Sequence, residues 1–222
     1  MFEYLSWGIG GTRLTALSSY VRRLLSPPLP GDGLLVVGFL EGVVGWSLSW
    51  LFATSPSLAP LGVVESIVVL WIVLTAGIVA IGVRFTAPAV RRSRIWLVWA
   101  ALNGLAAVVN VAAVAGLFPG PLGDVPVVAE MVGRGYWRPW FLALGLGYIA
   151  TALYNWSNPQ LRRNERIVYA LGGVSCLAVL SPWVFASPLV GGRLFLVGGL
   201  LHVVPMGFDV VADIVLVVRR AG

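Results

Sequence analysis

The sequence predicts an all-α, polytopic integral membrane protein: six transmembrane helices, an N-terminal amphipathic helix in the interface, and both termini in the cytoplasm. Three observations predict it. The 222-residue chain is 59% hydrophobic and only 11% charged, with a mean hydropathy of +0.91, whereas a soluble domain carries about a quarter charged residues. Its apolar runs approach the roughly 20 residues that cross a hydrocarbon core. Its arginines, finally, alternate between the two sides of those runs in the way that orients a membrane protein.

Residues 1–30 form the predicted interfacial segment. From Thr12 to Ser26 the apolar residues Leu14, Leu17, Val21, Leu24 and Leu25 recur at helical spacing, opposite Arg13, Ser18, Arg22 and Arg23. A helix with such a face lies in the plane of the interface, and Pro27 and Pro28 stop it. Residues 31–222 form the transmembrane domain. The first span, 34–53, contains Glu41, and the second, 62–83, contains Glu65 near its start. The third, 95–118, contains Asn103 and Asn110, seven residues apart and so on one helical face.

The connection 119–136 is predicted to carry a short helix from Asp124 to Gly133 that acts as a lid or interfacial element, rather than a re-entrant segment in which Asp124, Glu130 and Arg134 would be costly at depth. The fourth span is 137–156 and the fifth 166–186, bent near its end by Pro182. The sixth, 194–218, is stopped by Arg219 and Arg220. Threaded this way, one side holds twelve of the fifteen arginines and the other only Arg134, Arg138 and Arg193. The arginine-rich side is the cytoplasmic one, which places the protein in the cytoplasmic membrane. The segments 88–95 and 159–167 resemble each other at equivalent places, between spans two and three and between spans four and five. That pattern suggests a parallel repeat or two loops shaped by the same orientation rule. Trp46, Trp50, Trp137, Trp140 and Trp156 fall near span ends, where an indole is expected to be partly wet, and Trp71 and Trp99 fall deeper.

Several activities are excluded. All fifteen basic residues are arginine, so neither a Schiff-base lysine nor a phosphate-loop lysine exists. One histidine cannot supply a bis-histidine haem, and Ser181 and Cys176 lie in no hydrolase motif. A net charge of +6 that is concentrated beside apolar runs points to an anionic lipid surface rather than to nucleic acid. No cofactor and no metal centre is predicted.

The candidate site is a polar cluster inside the membrane. His202, Asp209 and Asp213 stand at i, i+7 and i+11 on one stripe of the last span. At 1.5 Å of rise per residue, Asp209 lies about 14 Å and Asp213 about 8 Å from the cytoplasmic end, with Glu41 at about 10 Å and Asn103 at about 12 Å. His202 is nearer mid-membrane, while Glu65 and Asn110 lie toward the opposite face. Carboxylates facing lipid cost several kcal/mol, so these side chains are expected to face the bundle interior. No arginine is expected at their depth, although Asp213 is near enough to the interface to stay solvated or to pair with Arg219. The group therefore needs a shared proton, a bound monovalent cation, or a protonated His202. Three functions fit: a proton- or cation-coupled carrier, a non-catalytic membrane subunit or assembly scaffold, or an intramembrane lipid- or isoprenoid-modifying enzyme.

Overall fold

The computed structural model describes residues 4–117, 136–157, 162–185 and 193–221. Among these residues the chain is helical, without strands. The predicted helix within 119–136 lies outside the described residues, as do residues 159–161 of the apparent repeat. The elements are α1 (Tyr4–Leu25), α2 (Gly31–Thr54), a 3₁₀ turn at Pro56–Leu58, α3 (Val63–Phe85) and α4 (Pro88–Arg91), followed by α5 (Arg94–Val114) and α6 (Arg138–Ser157). The chain continues through α7 (Arg163–Val179), α8 (Pro182–Phe185) and α9 (Leu194–Arg220).

Local chemistry explains many of these ends. α3 carries Glu65 in its first turn and Arg84 in its last, each opposing the partial charge of its helix terminus. The turn before it bends at Gly62, whose φ of 98° favours glycine. α5 starts at Ser93, whose hydroxyl accepts a hydrogen bond from the Trp96 amide at 3.2 Å. Before α7, the Arg162 amide donates to Glu165 Oε2 at 2.6 Å. The expected fifth helix is divided: α7 ends at Val179 and Pro182 opens the separate short helix α8. Proline supplies no amide proton and crowds the preceding turn, so it starts a helix more readily than it extends one. In α9, by contrast, Pro205 lies inside a continuous 27-residue helix.

Beside the 22-residue α1, the six helices α2, α3, α5, α6, α7 and α9 form a bundle in which each packs antiparallel against the next, and α9 returns to α2. α6 has Phe141 and Tyr148 fully buried, and among its described side chains Leu142, Leu146 and Leu153 form an exposed apolar stripe. Around it stands an aromatic cluster. Trp46 meets Trp71 at 5.1 Å and Phe141 at 5.4 Å edge to face, and Trp71 meets Trp140 at 5.4 Å. Of the tryptophans expected to be wet, Trp46, Trp137 and Trp140 are therefore core residues, whereas Trp50 is exposed. Position along a helix sets depth, but the azimuth decides burial.

Among the described residues, four helices, α2, α3, α5 and α9, are long and apolar enough to cross a membrane. Exposed apolar side chains extend the same character around the bundle, with Val69 and Val73 on α3, Leu105 and Val108 on α5, and Leu171 and Val174 on α7. α1 packs on α9, where Tyr20 meets Asp213, buries Tyr20 and Leu24, and leaves Leu14, Val21 and Leu25 exposed. Its apolar residues thus divide between the bundle and the outside. The segment after α1 is held by Leu29, which donates to the Phe85 carbonyl at 2.6 Å and accepts from the Ala87 amide at 3.1 Å.

α6 and α7 cross in backbone contact, where a Cβ on Gly173 would stand 2.8 Å from the Gly145 carbonyl oxygen. Gly173→Val is expected to force the helices apart and cost about 2–3 kcal/mol, read as a lowered thermal midpoint in detergent. Gly77→Ala, in open space, is the control, and equal midpoints for the two variants would contradict the close crossing.

Candidate functional site

A cavity of about 580 Å³ lies among α2, α3, α5, α6, α7 and α9. It reaches the arginine-rich end of the bundle at Asp32, Ala89 and Ser93 and extends inward to Leu144 and His202. Gly38 and Ala100 are among the small residues lining it, and Trp46 and Phe141 of the aromatic cluster are not among its lining residues. Four of the five predicted site residues line it: Glu41, Asn103, His202 and Asp209.

Asp209 is 7% exposed. Its Oδ2 accepts a hydrogen bond of 2.9 Å from the Tyr169 hydroxyl on α7, and its Oδ1 has no partner among the described residues. Glu41, one helix away on α2, faces the cavity with no hydrogen-bond or ion-pair partner among the described residues. Asn103 donates from Nδ2 to the Trp99 carbonyl at 2.9 Å, leaving its Oδ1 for the cavity. Carboxylates ordinarily enter a bundle interior with partners supplied, so these bare oxygens are the unusual feature.

His202 is held differently. Trp46 Nε1 donates to its Nδ1 at 3.2 Å. An Nδ1 that accepts a hydrogen bond carries no proton, so this is a neutral imidazole. The ring stacks on Trp71 at 6.1 Å and fills the space left by Gly42, where a Cβ would stand 2.8 Å from its Cδ2. A protonated His202, one of the three ways offered to balance the carboxyl groups, thus gives way to an indole–imidazole pair. Its carbonyl accepts from the Tyr148 hydroxyl at 2.5 Å, next to the carbonyl that Pro205 deprives of its helical donor.

Asp213 does not line the cavity. Arg162, capping α7, reaches across to donate to Asp213 Oδ1 at 2.9 Å and to the Ala212 carbonyl at 3.0 Å, and it also pairs with the buried Glu165. Tyr20 on α1 donates to the other Asp213 oxygen at 3.5 Å. Burial, followed by the charge of Asp213, pushes the Tyr20 hydroxyl up to about 12, so it remains a donor. The expectations that no arginine serves this cluster and that Asp213 pairs with Arg219 are both corrected. A guanidinium on a long stem extends well beyond the depth of its own Cα. The result is a latch joining α1, α7 and α9.

The remaining polar candidates are separate from the cavity. Glu65 is exposed in the first turn of α3, and Asn110 is completely buried with neither amide atom partnered among the described residues. Sequence reasoning passed over Asp32, Tyr169 and Thr151, all of which line the cavity. The tyrosine was open to discovery, because a phenol within a span needs a hydrogen-bond acceptor. No protein-family model, curated protein or solved structure matches this chain. What the fold and site define is a helical bundle with membrane-length apolar helices and a carboxylate-lined cavity reaching one end.

Proposed function

We propose that this protein is a small membrane carrier in which Glu41 and Asp209 exchange protons against a cation. The observation that carries the proposal is Glu41, a carboxyl group facing a cavity of about 580 Å³ without a partner among the described residues. A structural carboxyl would be expected to bond a neighbouring helix, as Asp209 bonds Tyr169 through one oxygen. A carrier needs a group that is free to bind its proton or cargo and then release it. In this reading the six bundle helices α2, α3, α5, α6, α7 and α9 cross the bilayer and both termini are cytoplasmic. α1 lies in the interface with Leu14, Val21 and Leu25 toward lipid. The division of the arginines supports that orientation, and the exposed Leu171 and Val174 support α7 as a span. The cavity then opens toward the cytoplasm, and the aromatic cluster closes the path to the other face.

The test is proton flux in liposomes, driven by an imposed cation gradient and read by an entrapped pH dye. Wild type is expected to couple the two. Glu41→Gln, with a side chain of nearly the same shape, is expected to reduce coupled flux about a hundredfold, in line with the loss of a positioned proton-transfer group. Equal flux from wild type and Glu41→Gln would remove the carrier reading and leave a scaffold role.

A further inference from the structure

We infer that the cargo is an organic cation with an apolar, aromatic-sized body, bound with its charge between Glu41 and Asp209. This inference rests on the carrier reading and specifies what is carried. Three carboxyl groups line the cavity, Asp32, Glu41 and Asp209, and among the described residues no arginine does. Asp209 is more than nine-tenths buried and presents an oxygen that no described residue satisfies, as does Glu41. The walls between these groups are Trp96, Trp99, Tyr154 and Tyr169, with Met206 at the inner side. Aromatic faces attract cations, most strongly where water is excluded.

Size separates an organic from an inorganic cation. A dehydrated alkali-metal ion needs a tight shell of oxygens, whereas about 580 Å³ falls in the range of cavities that enclose drug-sized molecules. Among the described residues, no three of His, Cys, Asp and Glu gather closely enough to hold a metal ion. The negative groups are instead distributed along an apolar wall, which matches a charge carried on a bulky body.

Binding is a balanced exchange: the cation pairs with the Glu41 carboxylate, and the proton that carboxyl held leaves to solvent. The titratable groups around this exchange are Asp32 and Glu41 on α2, Tyr154 on α6, Tyr169 on α7, and His202 and Asp209 on α9; α3 and α5 add none. His202 does not take up the proton, because its Nδ1 is occupied by Trp46.

The experiment is calorimetric titration of the purified full-length protein with tetraphenylphosphonium, alongside triphenylphosphine oxide as a neutral aromatic analogue. Tetraphenylphosphonium is expected to bind with release of about one proton, and binding is expected to weaken on acidification. The neutral analogue is expected not to bind. Glu41→Gln is expected to lose about tenfold or more in affinity, while Glu65→Gln, outside the cavity, is expected to match wild type. Comparable binding of both probes, or wild-type binding that does not weaken on acidification, would overturn the inference without any variant. Absent binding together with Glu41-dependent flux of protons and sodium would overturn the organic cargo and leave the carrier standing. Absent binding together with flux indifferent to Glu41 would overturn both.

Discussion

Asp209→Asn is expected to fold like wild type and to lose coupled proton flux by about two orders of magnitude. An asparagine oxygen can still accept the 2.9 Å hydrogen bond from Tyr169, so the contact between α7 and α9 survives. The cost to stability is about 1 kcal/mol or less, the worth of one altered hydrogen bond. The amide cannot bind and release a proton, so a function built on proton exchange fails while the helices remain packed. Thermal unfolding in detergent and dye-reported flux in liposomes, run on the same preparation, check both halves. Retained stability with retained flux would show that the Asp209 carboxyl only joins helices. A large loss of stability would show that the charge itself supports the fold. Tyr169→Phe separates the contact from the proton, because it removes the donor and leaves the carboxyl in the cavity.

Arg162→Ala is expected to lower stability by about 2 kcal/mol, between the cost of breaking an exposed and a fully buried ion pair, because the arginine itself is partly solvated. The Arg162 side chain is 35% exposed, whereas that of Glu165 is 3% exposed. Removing the guanidinium leaves Glu165 buried without its cation and detaches Asp213 and the Ala212 carbonyl from the start of α7. The double variant Arg162→Ala/Glu165→Gln is expected to recover part of the loss, since no uncompensated charge then remains in the interior. If the single and double variants unfold at the same temperature, the ion pair contributes little and the latch depends on its other contacts. Flux normalised to folded protein is expected to change much less than stability, because Arg162 does not line the cavity.

Helical class, membrane-length apolar segments and the concentration of arginine at one end were legible because each depends on local composition and spacing. The polar cluster was legible for the same reason. Carboxyl groups inside apolar runs stand out, and four of the five singled-out residues do line one cavity. The burial of Trp46 and Trp140 was less accessible. Depth follows from counting residues along a helix, whereas burial depends on which neighbours pack around it, and here α6 carries Phe141 and Trp140 into the centre of the bundle. The break at Val179 shows a related limit. Pro182 and Pro205 are the same residue type within apolar stretches, yet one starts a separate helix and the other lies inside a continuous one. At Pro205 the surroundings supply support: its ring packs against Gly172, and Tyr148 donates to the neighbouring His202 carbonyl.

Asp209 and Asp213 mark the boundary between the two kinds of information. One turn apart on a single stripe, they look equivalent to periodicity, which sets only the direction in which a stripe points along its own helix. Their partners are 40 and 51 residues away in the chain, so only the packing of α7 against α9 could assign them. Asp209 meets a neutral hydroxyl and retains a free oxygen in the cavity, while Asp213 meets a guanidinium and closes a latch. The sequence therefore determined that acids enter the membrane-length bundle at this depth. Tertiary structure decided which of them remains available for chemistry, because availability depends on what the neighbouring helix brings opposite each carboxyl.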